Sequence, residues 1–285
     1  MASTSTKATI TKSTLTPSMT LKGHEKWIRY ISYFPDGQRM ISGSPDKTAR
    51  QWDLKLGKEI EEVRDVGKKE VYAVSVSRDG RWVVTGDGDG DRGELKACEV
   101  ETGIVKTGSD DFTTRIWNLE TGKLVAGPFK NVDQVGAVQF SSDLKKLAVT
   151  SRTCIEVWDV QLQKLDVRVS KSPGVAITYA PVFWTNNDKN IMTAFNFATF
   201  GYAKTMYEFD ALTLETVGTP FEGHTKLVTS IALSFDHARL ASASFDNTIK
   251  LWDCESRQLL ASFDVQNPFI LVLSPDSHQL AYAIL

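Results

Sequence analysis

Short apolar-rich runs such as residues 28–34 and 228–233 fill the chain, some with apolar residues at alternate positions as in 155–157 and 249–251, and polar turn residues separate them. This period of two predicts strands with one face turned inward. Apolar spacing of the helical kind, at three and four residues, is sustained nowhere. The fold class expected is therefore all-β, made of short strands and tight turns.

The runs repeat. Residues 43–53 read GSPDKTARQWD, 108–118 read GSDDFTTRIWN and 243–253 read ASFDNTIKLWD. Each has a Ser, a turn Asp, a Thr, and a strand closing on Trp with Asp or Asn. Residues 155–159, IEVWD, keep the strand without the turn Asp, and residues 206–210, MYEFD, carry Phe in place of Trp. A more divergent copy lies at 95–100. A second unit lies upstream of the first: residues 21–37, LKGHEKWIRYISYFPDG, match residues 221–236, FEGHTKLVTSIALSFD. Weaker copies begin at 71, 135 and 269. Together the two units make four short strands per repeat, and repetition at this period marks stacked architectures.

These motifs resemble the WD-repeat β-propeller family over roughly residues 15–285, with two copies carrying the full Gly-His to Trp-Asp signature. The look also resembles the propeller ends of fungal tandem WD-repeat proteins. The resemblance implies a ring of four-stranded blades about a channel. It also implies two buried hydrogen-bonded sets, His24, Ser42, Asp46 with Trp52 and His224, Ser242, Asp246 with Trp252. Physically, an indole N–H inside a sheet stack needs an acceptor, and a His–Asp pair can pin a turn. These histidines are thus expected to be structural.

Spacing between the Trp-Asp positions sets the unit count. Trp52 to Cys98 is 46 residues, Trp117 to Trp158 is 41, Trp158 to Phe209 is 51 and Phe209 to Trp252 is 43, yet Cys98 to Trp117 is only 19. One repeat has lost its first half there. Asp111 keeps Trp117 but no His or Ser of its own repeat. The expectation is about six blade positions, derived from a seven-bladed pattern with an internal deletion and a truncated last blade. Blades would span 21–62, 129–167, 168–217 and 218–264, with a composite at 63–128 and a last one assembled from both ends. In that last blade, residues 18–22 would supply an outer strand and 7–11 a third. By domain, residues 1–14 are expected to be a Ser/Thr-rich tail and 15–285 one propeller.

Charge narrows the function. The chain of 285 residues has 33 basic and 35 acidic side chains, a net charge of −2, which offers nucleic acid no basic face. No apolar stretch is long enough to cross a bilayer, and the three cysteines, Cys98, Cys154 and Cys254, form neither a zinc pattern nor a disulfide framework. A soluble protein of the cytoplasm or nucleus, with reduced thiols, fits these features. No nucleophile elbow, phosphate loop or Cys-His pair appears, so an enzyme is not expected and no cofactor is implied. The acidic run GDGDGDRGE at 86–94 places Asp87, Asp89 and Asp91 at alternate positions, the best metal candidate. Its Gly93 and Glu99 each fall one place late for a calcium loop. A Gly/Asp hairpin loop is the preferred reading.

What remains is binding. The resemblance places on one face the loops entering each blade and the turns between second and third strands. There lie Lys26, Trp27 and Arg29, then Phe112, then Phe245. Phe197, Phe200 and Tyr202 sit where a short Asp turn is expected. Trp and Arg are enriched among interface residues that dominate binding energy. The expected function is a non-catalytic scaffold binding protein or peptide partners through that face. The alternatives are a truncated, poorly folding product without independent function and a calcium-binding or ligand-sensing propeller.

Overall fold

A computed structural model describes residues 12–14, 17–60, 64–65, 70–76, 83–88, 94–98, 104–108, 113–118, 124–131, 135–151, 154–170, 181–197 and 201–284. At residues 12–14 and from 64 to 128 the account is of backbone and register. The elements are all strands, and they form seven sheets.

After β1 (Lys12–Thr14), the first sheet holds β2 (Tyr30–Tyr33), β3 (Arg39–Gly43), β4 (Thr48–Asp53) and β5 (Lys58–Glu59), with β6 (Arg64–Asp65) also pairing with β4. The second holds β7 (Glu70–Val76), β8 (Val83–Gly88) and β9 (Glu94–Cys98), and the third β10 (Ile104–Gly108), β11 (Thr113–Asn118) and β12 (Leu124–Lys130). The fourth runs β13 (Val135–Phe140), β14 (Lys146–Ser151), β15 (Cys154–Asp159) and β16 (Lys164–Ser170). The fifth has β17 (Phe183–Thr185), β18 (Asn190–Phe195) and β19 (Thr205–Asp210). The sixth comprises β20 (Val228–Leu233), β21 (Arg239–Ser244), β22 (Thr248–Asp253) and β23 (Leu259–Asp264), and the seventh β24 (Pro268–Leu273) and β25 (Leu280–Ile284). Apart from β6, which joins β4, the strands from β2 onward pair antiparallel with their successors within each sheet, as in a meander.

The turns explain the regularity. After the first strand of the first, fourth, sixth and seventh sheets, a left-handed residue recurs: Gly37, Leu144, His237 and Ser277 all have φ near +60°. An Asp just before it accepts from the backbone: Asp36 from the Gln38 amide, Asp143 from Lys145, Asp236 from Ala238 and Asp276 from His278. Such Asx turns give the backbone a local partner and fix where the next strand starts.

The core lies between sheets as a series of slabs. Phe129, Phe140, Leu147 and Trp158 fill one, against the fourth sheet. Ile155, Trp184, Ile191 and Phe209 join the fourth sheet to the fifth. Met206, Phe221, Ile231, Leu240 and Trp252 join the fifth to the sixth, and Ala241, Ile249 and Leu271 the sixth to the seventh. The first strands stand innermost: β24 packs against both β20 and β2, β2 against β7, and β13 against β10 and β17. The seventh sheet thereby reaches back to the first.

Three expectations change. Among the described residues, the strands between 70 and 130 form two three-stranded sheets rather than one composite, so seven sheets are described where about six positions were expected. Residues 104–108 are not the outer strand of the second sheet. They pair with β11, with Val105 opposite Trp117 and Thr107 opposite Arg115. Only four residues separate β10 from β11, and closing so short a hairpin costs little chain entropy. The strand thus takes the place left by the deletion, and Thr107 occupies the register position that Ser42 (opposite Arg50) and Ser242 (opposite Lys250) hold elsewhere. At the other end, β1 pairs parallel with β23 of the sixth sheet, Ser13 opposite Phe263. Residues 18–22, expected as an outer strand of the last sheet, carry no strand. Residues 7–11 lie outside the described residues.

Candidate functional site

Two clusters of polar side chains sit beneath one face. In the first, Trp52 Nε1 donates to Ser42 Oγ (2.8 Å), and Ser42 Oγ meets His24 Nε2 (2.7 Å). His24 Nδ1 meets Asp46 Oδ2 (2.8 Å), while Thr48 Oγ1 donates to Asp46 Oδ1 (2.6 Å). The second repeats this with Trp252, Ser242, His224, Asp246 and Thr248 at 2.8, 2.7, 2.9 and 2.6 Å. The structure brings all eight sequence-selected residues into these two sets.

The donor inventory fixes the protons. Indole N–H can only donate and the ionised Asp46 carboxylate can only accept, so the neutral His24 ring gives its Nδ1 hydrogen to Asp46 and its Nε2 takes the Ser42 hydroxyl hydrogen. Burial pulls the His24 pKa below its ordinary value, against the raising influence of Asp46, which keeps the ring neutral. Burial of Asp46 works against ionisation. Hydrogen bonds from Thr48 Oγ1, His24 and the Thr48 and Glu25 amides outweigh it and hold the carboxyl at about 2. Asp246 is likewise held well below the usual carboxylate range, burial being outweighed by His224 and Thr248. The preceding glycines serve close packing. A Cβ on Gly23 would lie 3.1 Å from the Trp52 ring, and one on Gly223, at φ +154°, equally close to Trp252.

A hydroxyl hydrogen-bonded to histidine beside an aspartate resembles a hydrolytic triad. Here Ser42 and Ser242 are buried, and each oxygen is already engaged by indole and imidazole. A substrate carbonyl has no approach to either.

The other sheets solve the indole problem differently. Trp158 Nε1 donates to Glu156 Oε2 (3.2 Å), a fully buried carboxylate that Arg168 pairs with at 2.6 Å from across the strands. Trp184 Nε1 donates to the Gln139 carbonyl of the neighbouring sheet (2.9 Å). Phe209, wholly buried, has no N–H to satisfy. Beside it, Glu208 accepts from Thr185 and Asn190 and pairs with Arg257 of the next sheet. This inter-sheet ion pair has no counterpart in the repeat pattern, and no spacing or motif pointed to it. The Glu156–Arg168 pair was findable as opposite charges on facing strands.

A cavity of about 470 Å³ runs along the inner strands β2, β17, β20 and β24. Trp27 and Arg29 line it, and Trp27 is half exposed. Phe245 stacks on Phe269, which also lines it (centroids 6.4 Å apart, planes 19°). Lys26 is exposed on the same loop as Trp27. Phe197 and Tyr202 are exposed elsewhere, and Phe197 packs edge-on against Phe195 and Tyr207 at 5.1 and 5.0 Å. Phe197 is therefore partly a packing residue of the fifth sheet. Phe112 and Phe200 lie outside the described residues.

Chemistry elsewhere is sparse. Asp87 lies in β8, paired in register with Glu94 and Val71, while Asp89 and Asp91 lie outside the described residues. Among the described residues no group of three His, Cys, Asp or Glu is placed to hold a metal ion. Burial, with Asp253 and Glu208 nearby, pushes the Cys254 thiol up to about 12, the opposite of a nucleophile. Among the described residues, no helix is long and apolar enough to cross a membrane.

Meandering sheets packed face to face about inner strands, with Trp–Ser–His–Asp sets pinning their turns, define a β-propeller of WD repeats. Three stretches, residues 15–53, 62–91 and 214–253, match the family described as WD domain, G-beta repeat. The chain is a WD-repeat protein. Among known proteins it is similar to Eukaryotic translation initiation factor 3 subunit I. It is 25% identical to that of Drosophila virilis over 263 residues, covering 87% of this chain and 71% of the relative. To that of Bombyx mori it is 26% identical over 260 residues, covering 87% and 69%. It is also similar to Apoptotic protease-activating factor 1 of Rattus norvegicus, 22% identical over 249 residues, 82% of this chain but 19% of that protein.

Proposed function

We propose that this chain is a non-catalytic scaffold that binds protein or peptide partners in the cytoplasm through the face bearing Trp27 and Phe245. The observation that carries the reading is the aromatic mouth of the cavity. A half-exposed Trp27 stands beside Arg29, and Phe245 is braced on Phe269. Large rigid aromatics next to a guanidinium suit an interface anchor, since they bury area with little loss of side-chain freedom. The similar proteins support the reading: one is named as a subunit of a larger factor. Lys26 extends the same surface, and the exposed Phe197 and Tyr202 are further candidate contacts for a larger partner.

A pull-down from cell lysate with the wild-type chain, Trp27→Ala and Phe245→Ala tests this. Partners recovered by the wild type are expected to be lost or reduced about tenfold with either variant. Undiminished recovery with both would place the binding surface elsewhere.

A further inference from the structure

The connection from the fifth sheet to the sixth folds back along the outer edge of β19. Its residues 215–221 meet that strand at two ends. At one, the Asp210 amide donates to the Glu215 carbonyl (2.9 Å) and the Val217 amide to the Glu208 carbonyl (2.8 Å). At the other, Phe221 and Met206 exchange both backbone bonds, at 2.9 and 3.3 Å. Between the two the ladder breaks. Gly218 is left-handed at φ +66°, and Pro220 has no amide hydrogen to give.

Arg257 fills the break from the sixth sheet. It sits in the turn between β22 and β23, and its side chain reaches across to the fifth sheet. Nη1 donates to the Thr219 carbonyl (2.8 Å), and Nη2 pairs with Glu208 Oε2. The guanidinium lies over the Phe221 ring, 5.4 Å from its centroid. Gly218 makes room for it: a Cβ there would lie 2.9 Å from Arg257 Cζ. Glu208 is itself fixed by Thr185 Oγ1 (2.6 Å) and Asn190 Nδ2 (3.0 Å), which both donate to Oε1. Both side chains of the ion pair are only 13% exposed, so salt screens it little. A planar guanidinium can serve a carbonyl and a carboxylate together, which an ammonium on a flexible stem does less well.

We infer that residues 215–221 are a strap closed over the edge of β19 by Arg257, and that loosening this one side chain frees the strap while the sheets on either side stay folded. The strap's backbone bonds are few and lie at a sheet edge, which is the condition for local opening. Central strands are held on both edges: β18 lies between β17 and β19, and β21 between β20 and β22. Release of the strap bares on β19 a row of backbone donors and acceptors that another strand can pair with.

The test is hydrogen exchange of the full chain, read residue by residue by NMR. Arg257→Lys keeps a positive charge for Glu208 and removes the fork. The Val217 and Phe221 amides are expected to exchange at least about tenfold faster in this variant, as loss of a charge-assisted hydrogen bond implies. Amides of β18 and β21 are expected to keep their wild-type rates. Arg257→Met combined with Glu208→Gln removes both charges together, so neither is stranded in a buried site, and is expected to give the same pattern. Unchanged rates at Val217 and Phe221 in either variant overturn the pin. Acceleration of β18 and β21 by the same factor as the strap overturns the local opening.

Discussion

The sixth sheet and the fourth hold a tryptophan at the same place in the repeat and treat it differently. In the sixth, Trp252 gives its N–H to Ser242 on the adjoining strand, and the serine hands the chain of hydrogen bonds to His224 and Asp246. In the fourth, Trp158 turns to Glu156, two residues back on its own strand, and Arg168 neutralises the carboxylate. The fifth sheet removes the problem by carrying Phe209. The requirement shared by all three is that no indole N–H be buried without an acceptor. The sixth sheet gains something more from the same residues. Asp246 also accepts from the Thr225 and Thr248 amides, so one network ties the loop entering the sheet to its next turn. Glu156 ties only strand to strand.

The largest effect is expected from removing the shared acceptor. Ser242→Ala leaves both Trp252 Nε1–H and His224 Nε2 without a partner in a buried site, costing about 2–4 kcal/mol in urea unfolding. A loss below about 0.5 kcal/mol would mean that packing alone holds this sheet. Next, Phe209→Trp puts a larger ring and an unanswered N–H into a fully buried position and should cost about 2 kcal/mol. Trp158→Phe should be milder, about 1 kcal/mol, because Glu156 keeps Arg168. If it exceeded Ser242→Ala, the two solutions would have to be ranked in reverse.

Acid separates the sheets most finely. His24 has a folded pKa below its unfolded value near 6.5, so the unfolded chain binds the proton more tightly. Its contribution is present above that pH and declines as pH falls below it. Asp46 is depressed from 3.8 to about 2, so its contribution is full above about 4 and lost as pH falls toward 2. Unfolding free energy measured from pH 7 to 2 should therefore fall in two stages. His24→Gln should flatten the upper stage, and Asp46→Asn the lower; a single unchanged curve in both variants would rule out this origin.

Much of this was legible because identical spacing leaves few options. His24, Ser42, Asp46 and Trp52 stand at the same intervals as His224, Ser242, Asp246 and Trp252, and the structure joins both sets. The deletion before Trp117 was legible too, as a spacing of 19 residues from Cys98. What replaced the missing strand was not. Residues 104–108 are an acceptable strand for either neighbour, and period-two alternation carries no mark of which edge it will join. The same ambiguity hid β1, whose three residues add parallel to β23. The cavity was invisible for another reason: its wall comes from four inner strands distant in sequence, each apolar for reasons of its own.

The strand unit, its Asp turns and the two Trp–Ser–His–Asp sets are written along the chain, because these are short-range patterns in which each residue's partner lies a fixed distance away. The number of sheets, the sheet that takes β1, the meeting of Trp158 with Glu156, and the placing of Trp27 and Arg29 in the lining of one cavity follow from three-dimensional packing. Those outcomes depend on which edges and faces meet after the chain has turned back on itself, and hydrogen-bonding edges are alike until a neighbour occupies them.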